Sequence, residues 1–255
     1  MEQLKQIRDT PWFVAVGPRP DARLRLVCLH HAGGNSGVFR SWVGCLPQAV
    51  ELVAVELPGR LGRSFERPCR TATEVIQSLY PEMARRLDLP YVLFGYSVGA
   101  ILAFELTRML EGGNTLSPRE LIVAAAPAPQ CPRREPSIAT LSDEEFVGQL
   151  KAYGGTPAAV LENEELTALL LPMLRADFSI AETYEHEPRS PLRCPVTAYG
   201  GSTDPWVSEA EIVAWRDVTT GPFSHRIFHG GHFFMHSGLL DSVNEALGKH
   251  LDTDS

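Results

Sequence analysis

Residues 91–113 read YVLFGYSVGAILAFELTRMLEGG, and the fold class turns on how this stretch is parsed. Residues 91–95 are a continuous apolar, β-rich run, which suits a strand buried on both faces. Residues 98–113 carry apolar side chains on most sides of a helix and stop at Gly112 and Gly113. Between the two stands Ser97, in the pattern G-x-S-x-G. A strand that turns into a helix at one residue exposes that serine at the edge of a sheet. So tight a turn leaves no room for side chains at Gly95 and Gly99, and it aims the helix amides and dipole at the serine. A glycine-rich turn without chemistry is the competing reading, because the pattern alone is short.

Outward from this stretch, strands and helices alternate. LRLVCLH (24–30), VELVAVELP (50–58), LIVAAAP (121–127), PVTAYGG (195–201) and HRIFHGG (225–231) read as further strands. Helical spacing covers 71–87, with Thr71 and Glu74 as a capping box and a kink predicted at Pro81. A last helix is predicted over 237–251. Continuous rather than alternating hydrophobicity predicts an α/β fold, a mostly parallel sheet with helices on both faces. Between Ala128 and Cys194 no strand pattern occurs. LSDEEFVGQLKAYGG offers a capping box at Ser142 and Glu145, and ELTALLLPMLRADF continues the helical pattern with an interruption predicted at Pro172. The sequence therefore predicts a single domain over 1–255, with a helical lid inserted at about 129–193.

Composition narrows the function classes. At 255 residues, with 44% hydrophobic and 21% charged residues, the chain has the makeup of an ordinary globular protein. Its net charge of −8 disfavours a nucleic-acid partner, which needs a basic face. No apolar run is long enough for a membrane span, and the N-terminus lacks the apolar core of a secretory leader. Five cysteines, Cys28, Cys45, Cys69, Cys131 and Cys194, never fall in C-x-x-C spacing. That argues against a disulfide framework or zinc site and for a reducing cytoplasm.

A serine nucleophile needs a base, and the base needs an orienting acid. On an α/β-hydrolase sheet the order is Ser, acid, His. Asp204 follows the strand at 195–201 and His232 follows the strand at 225–231, so both would share the sheet edge with Ser97. Asp204 also reads as an Asp-Pro turn former, and His232 as part of a metal cluster with His229 and His236. That cluster lacks the H-E-x-x-H glutamate, so no metal is expected. Asp177, Asp217 and His225 are poorer candidates, being mid-helix or ahead of a strand. One oxyanion donor would be the Val98 N–H; the other would come from HHAGGN (30–35), after the first strand. A phosphate-binding or dinucleotide reading fails, since neither G-K-[ST] nor G-x-G-x-x-G occurs.

These residues resemble the type II thioesterases, stand-alone α/β-hydrolases that remove acyl groups from the carrier proteins of polyketide and nonribosomal peptide synthases. LVCLHHAGGN is similar to the family's first strand and oxyanion loop, ELPGRLGR to its P-G-R-x-x-R segment, and GYSVGA to its nucleophile turn. LLPMLRADF resembles its lid motif, and GGSTDPWV and GGHFF its acid and histidine loops. The resemblance implies Ser97 as nucleophile, His232 as general base and acid, Asp204 as orienting acid, and Ala32 and Val98 as oxyanion donors. Three residues depart from the pattern: His30 for proline, Tyr96 for histidine and Val98 for methionine. The last two flank the nucleophile and would be placed to reshape an acyl pocket; packing is the plainer reading of His30. Leu169, Leu170 and Met173 are candidate walls of an acyl chamber under the lid, or ordinary lid packing.

The resemblance further implies no cofactor, because the substrate brings its own phosphopantetheine arm. It implies an acyl or peptidyl carrier protein as partner; separately, a chain that begins at Met1 with no carrier segment attached is expected to act in trans, and a monomer is expected. Carrier proteins are acidic, so a local basic rim is expected at Arg133 and Arg134, or at Arg60, Arg63 and Arg67. Three readings compete: an editing thioesterase, a carboxylesterase or product-releasing thioesterase of the same fold, and a silent binding module. The last requires a broken triad, whereas Ser97, Asp204 and His232 are all present.

Overall fold

The computed structural model describes residues 10–113 and 115–252; the first nine residues of the stretch read for a leader lie outside it. Seven strands form one sheet: β1 (Phe13–Ala15), β2 (Leu24–Leu29), β3 (Val50–Val55), β4 (Tyr91–Tyr96), β5 (Glu120–Ala124), β6 (Val196–Gly201) and β7 (Phe223–Phe228). Their spatial order is β1-β3-β2-β4-β5-β6-β7, and every neighbouring pair is parallel except β1 with β3. The mostly parallel α/β sheet read from the sequence is present. Its antiparallel edge is an addition: β1 has three residues, of which only Phe13 is buried, too few for a pattern to register.

Helices α1 (Ala72–Ala84), α2 (Val98–Gly112), α3 (Asp143–Tyr153), α4 (Ala158–Leu161), α5 (Glu164–Glu182), α6 (Glu209–Val213) and α7 (Leu240–Asp252) complete the described chain. Strands β2 to β5 are buried along their whole length because both faces are covered. On one face Val27, Val53 and Leu93 pack in a cluster with Val75 and Leu79 of α1 and Leu102 of α2. On the other, Leu26, Phe94 and Tyr96 pack with Trp42 and with Val243 and Leu247 of α7. Each such side chain gains roughly 1.5–3 kcal/mol on leaving water, which is what fixes the layers.

Some local expectations need correction. Thr71 Oγ1 accepts the Glu74 N–H at 3.2 Å, but the Glu74 carboxylate accepts from the Arg70 N–H at 2.6 Å, so that box stays half closed. At Ser142 and Glu145 the box closes fully. The break predicted at Pro172 is absent: α5 stays helical through it, as α1 does through Pro81. A proline inside a helix costs about 3 kcal/mol. Burial of Leu171, Met173, Leu174 and Ile180 on the same helix outweighs that cost. Between β5 and β6 the chain holds α3, α4 and α5 and no named strand. These helices share a cluster of their own, with Phe146, Leu150, Leu161, Leu171 and Leu174.

Because β2, β4, β6 and β7 run parallel, their carboxyl ends lie on one edge. The HHAGGN loop, Ser97, the loop at Asp204 and the loop at His232 all emerge there, as open parallel sheets favour for a site.

Candidate active site

Ser97 sits at φ 56° and ψ −121°, a conformation that L residues avoid. Such backbone costs about 1–3 kcal/mol and persists only where surrounding structure enforces it. Here the Ser97 N–H donates to the Ala124 carbonyl at 2.8 Å, and the Ala100 N–H donates to the Ser97 carbonyl at 2.9 Å. A Cβ at Gly95 would fall 2.3 Å from the Gly99 carbonyl oxygen, and one at Gly99 would fall 2.3 Å from that of Leu29. Both glycines are therefore required by close backbone approach, and the turn is strained in order to present the serine.

Three side chains stand in one hydrogen-bonded line. His232 Nε2 lies 3.0 Å from Ser97 Oγ, and His232 Nδ1 lies 2.8 Å from Asp204 Oδ2. Asp204 is fully buried at its side chain, and its Oδ1 accepts the Trp206 and Val207 N–H groups at 2.9 and 3.3 Å. A carboxylate can only accept, so the proton belongs on Nδ1 and the Nε2 lone pair faces the hydroxyl. An imidazole held this way can take a proton from Ser97 and return it to a leaving group. Both ring nitrogens of His232 are thus occupied. His229 and His236 form no metal cluster with it: among the described residues no group of three His, Cys, Asp or Glu is placed to hold a metal.

Tyr96, which precedes Ser97, is fully buried, and its ring meets that of His232 edge-on at 6.3 Å. It points to the core face shared with α7, where its buried hydroxyl donates to the His232 carbonyl and accepts the Phe234 N–H at 3.0 Å. The residue therefore holds the histidine loop from below. The Val98 side chain is buried in the core of the α1 and α2 face, a cluster against which Ala32 and Trp206 also pack. As the first residue of α2, Val98 carries one of the helix's unpartnered N–H groups.

The HHAGGN loop is held by a residue that the sequence reading set aside. Asp177, fully buried on α5, accepts the Gly33 N–H at 2.7 Å. The same carboxylate takes a bidentate pair from Arg60, at 2.8 and 2.7 Å, and Arg60 also donates to the Gly34 carbonyl at 2.9 Å. The Gly33 N–H is thereby committed, whereas among the described residues the Ala32 and Val98 N–H groups have no protein acceptor. A buried aspartate on an otherwise apolar face, within LLPMLRADF, was the available signal for Asp177. Asp177 takes no part in the line of Ser97, His232 and Asp204, so as an orienting acid it stays the poorer candidate that its mid-helix place suggested. His30 lies beneath the loop with Nδ1 2.8 Å from the His31 carbonyl, and burial pushes its pKa well below the ordinary value, so it is packed as a neutral ring. Asp217 and His225 take no part in this line.

Helices α3 to α5 touch the site through other residues than those named from the sequence. Leu169 is 74% exposed and Met173 is buried inside these helices' own cluster, with Leu170 packed against that cluster. Leu174, one turn on from Leu170, reaches the HHAGGN loop: a Cβ at Gly33 would stand 2.7 Å from its Cδ2. Tyr153, the last residue of α3, stacks on Trp206 at 4.1 Å between ring centroids, and Trp206 meets the His232 ring edge-on at 5.1 Å.

Nor do the arginines form the basic rim expected of them. Arg60 and Arg63 are buried, Arg133 faces Glu182 at 3.5 Å, and Arg134 pairs with Glu211 at 3.2 Å. Of the five, Arg67 alone is exposed without an ion pair among the described residues.

Residues 24–251 match the thioesterase domain family. The chain belongs to that family. This thioesterase is 34% identical to the gramicidin S biosynthesis protein GrsT of Aneurinibacillus migulanus over 91% of each chain. It is 36% identical to the linear gramicidin dehydrogenase LgrE of Brevibacillus parabrevis, over 98% of this chain and 97% of that one. Among solved structures it resembles the type II thioesterase BorB from the borrelidin biosynthetic cluster, at 38% identity and a TM-score of 0.85, covering 94% of this chain and 97% of that one. Thioester hydrolysis is therefore the chemistry that the site serves.

Proposed function

We propose that this thioesterase clears acyl groups from phosphopantetheinyl carrier proteins of a polyketide or nonribosomal peptide synthase, with Ser97 as nucleophile. The observation that carries the reading is the unbroken line from Ser97 through His232 to Asp204, set on a strained turn in a chain of this family. His232 takes the hydroxyl proton as Ser97 Oγ attacks the thioester carbonyl. The Ala32 and Val98 N–H groups receive the developing oxyanion, each donor worth about 3–4 kcal/mol in the transition state. The C–S bond then breaks, the thiol leaves with the proton from His232, and the acyl group remains on Ser97. Water, deprotonated by His232, attacks that ester and releases the acid, restoring the serine. A thiol of pKa about 8.5 is a far better leaving group than an amine, so its departure demands less proton transfer from His232 in the transition state than an amide would.

Names of relatives from gramicidin and borrelidin clusters support the synthase setting. The dehydrogenase in the name of LgrE does not carry over, because this chain lacks the G-x-G-x-x-G that would cradle a dinucleotide. No resident cofactor enters the reaction as written, and five free cysteines suit a reducing cytoplasm. The test compares wild type with Ser97→Ala on one short acyl group presented three ways: on a carrier protein, on a small thiol, and as an oxygen ester. The carrier thioester should be cleared fastest, with a loss of roughly 10⁴-fold or more in the variant. Faster ester hydrolysis would transfer the protein to the carboxylesterase reading.

A further inference from the structure

The ELPGRLGR segment continues into a loop whose side chains are arranged inside out. Residues 59–68 close on themselves: a Cβ at Gly59 would stand 2.5 Å from Pro68 Cγ, and the Gly59 N–H donates to the Arg63 carbonyl at 3.0 Å. Two of its four charged members, Arg60 and Arg63, turn inward, while Glu66 and Arg67 stay exposed. Arg60 and Arg63 are each 5% exposed, Arg60 on Asp177 and the Gly34 carbonyl, Arg63 on the Glu56 carbonyl and 4.0 Å over the Trp12 ring. Its two large apolar members turn outward. Leu61 is 58% exposed and Phe65 is 104% exposed. Leu61 moreover sits at φ 45°, a conformation that a branched residue adopts only under constraint. The pins at Arg60 and Arg63 supply that constraint, so the loop presents its two apolar side chains as a fixed feature.

Charge at the loop has the opposite sign to the whole. The chain carries −8, yet Arg67 and Arg70 are exposed here without an ion pair among the described residues. Glu66 pairs with Arg63 at 2.6 Å; Glu74 accepts the Arg70 backbone N–H at 2.6 Å and keeps its charge, and the Arg70 guanidinium donates to Ser179 Oγ at 3.5 Å, so residues 59–74 carry four arginines against two glutamates. Through Arg60 the root of the loop also bonds the HHAGGN loop beside Ser97. An apolar pair flanked by unpaired cations, at the rim of the site, suits one class of partner: a protein surface that is acidic around a small apolar patch and that must bring a tethered acyl group to Ser97.

Resting on the proposed function, we infer that Leu61 and Phe65, flanked by Arg67 and Arg70, form the docking surface for the acidic carrier protein. Contact of the apolar pair supplies the burial, and the two arginines orient the approach. None of the four touches the reacting atoms, so their loss affects only substrates that carry the protein.

The experiment uses the full chain, the paired variants Leu61→Ser with Phe65→Ser and Arg67→Glu with Arg70→Glu, and two acetyl thioesters. One is carried on a phosphopantetheinyl carrier domain and the other on free pantetheine. For each variant KM for the carrier thioester should rise about tenfold, as loss of an interface anchor does, while kcat and the pantetheine reaction stay within about twofold. Raising the ionic strength should raise KM in wild type and lower it in the arginine-reversal variant. An unchanged carrier KM, or equal losses on both substrates, would overturn the assignment. Should wild type cleave neither thioester, the proposed function fails instead. Docking is then read from fluorescence anisotropy of the labelled carrier against Ser97→Ala, with and without the loop substitutions, where equal affinities would again overturn it.

Discussion

Removing the Tyr96 hydroxyl would strand two buried partners at once, the His232 carbonyl and the Phe234 N–H. Leaving buried backbone groups unsatisfied costs about 1–3 kcal/mol, and Tyr96→Phe adds no volume to offset it. Chemical denaturation should show that loss, and kcat should fall with little change in KM, because the loop that carries His232 loses its lower anchor. A stability loss with unaltered kcat would show that Tyr96 only packs. Asp204→Asn should be more severe, at about 10⁴-fold in kcat with the fold intact. An amide at that place can donate to Nδ1 and so favours the wrong tautomer. At this scale the hydrogen-bonded line of Ser97, His232 and Asp204 was legible because the three residues follow one another in chain order at strand ends. The orientation of Tyr96 was not, since period-2 alternation from Ser97 tells which face a residue takes only once the strand's end is known.

Helix α5 is joined to the HHAGGN loop through a single carboxylate, which makes Asp177 the element's most sensitive position. Asp177→Ala leaves the Arg60 guanidinium buried without its counter-charge, a change that typically costs about 3–5 kcal/mol. It also frees the Gly33 N–H, so the neighbouring Ala32 N–H loses its fixed place. We expect a lower denaturation midpoint together with a reduced kcat. A double-mutant cycle with Arg60→Ala should give a coupling energy of about 0.5–3 kcal/mol, whereas strict additivity would contradict the pairing. Helices α3 and α5 were legible from spacing and from the Ser142 capping box. Their contacts with the site were not, because helical periodicity identifies a buried face without naming what covers it. Leu170 and Met173 share a helix with Leu174, yet only the last reaches Gly33.

Over the whole molecule, two buried histidines couple stability to pH. Burial lowers the pKa of both His30 and His31 below the ordinary 6.5. The unfolded chain therefore binds more protons than the folded one as pH falls below that value, and stability is lost on acidification. The slope is at most about 1.4 kcal/mol per pH unit for each histidine. Denaturation midpoints should fall from pH 7.5 toward pH 5, and His30→Gln should fall less steeply; identical slopes would remove His30 from the account. The sheet, its two covered faces and the common edge of the site could all be read from continuous apolar runs separated by helical ones. The edge strand β1 and the inward turn of Arg60 and Arg63 could not, because both depend on contacts far apart in sequence. The central claim, that Ser97 carries the acyl group, is tested most directly by intact-protein mass spectrometry after rapid mixing with an acyl carrier thioester. The expected result is a transient mass gain equal to the acyl group, mapped to the peptide around Ser97 and absent in Ser97→Ala. Turnover without that adduct, or an adduct on another residue, would contradict the claim.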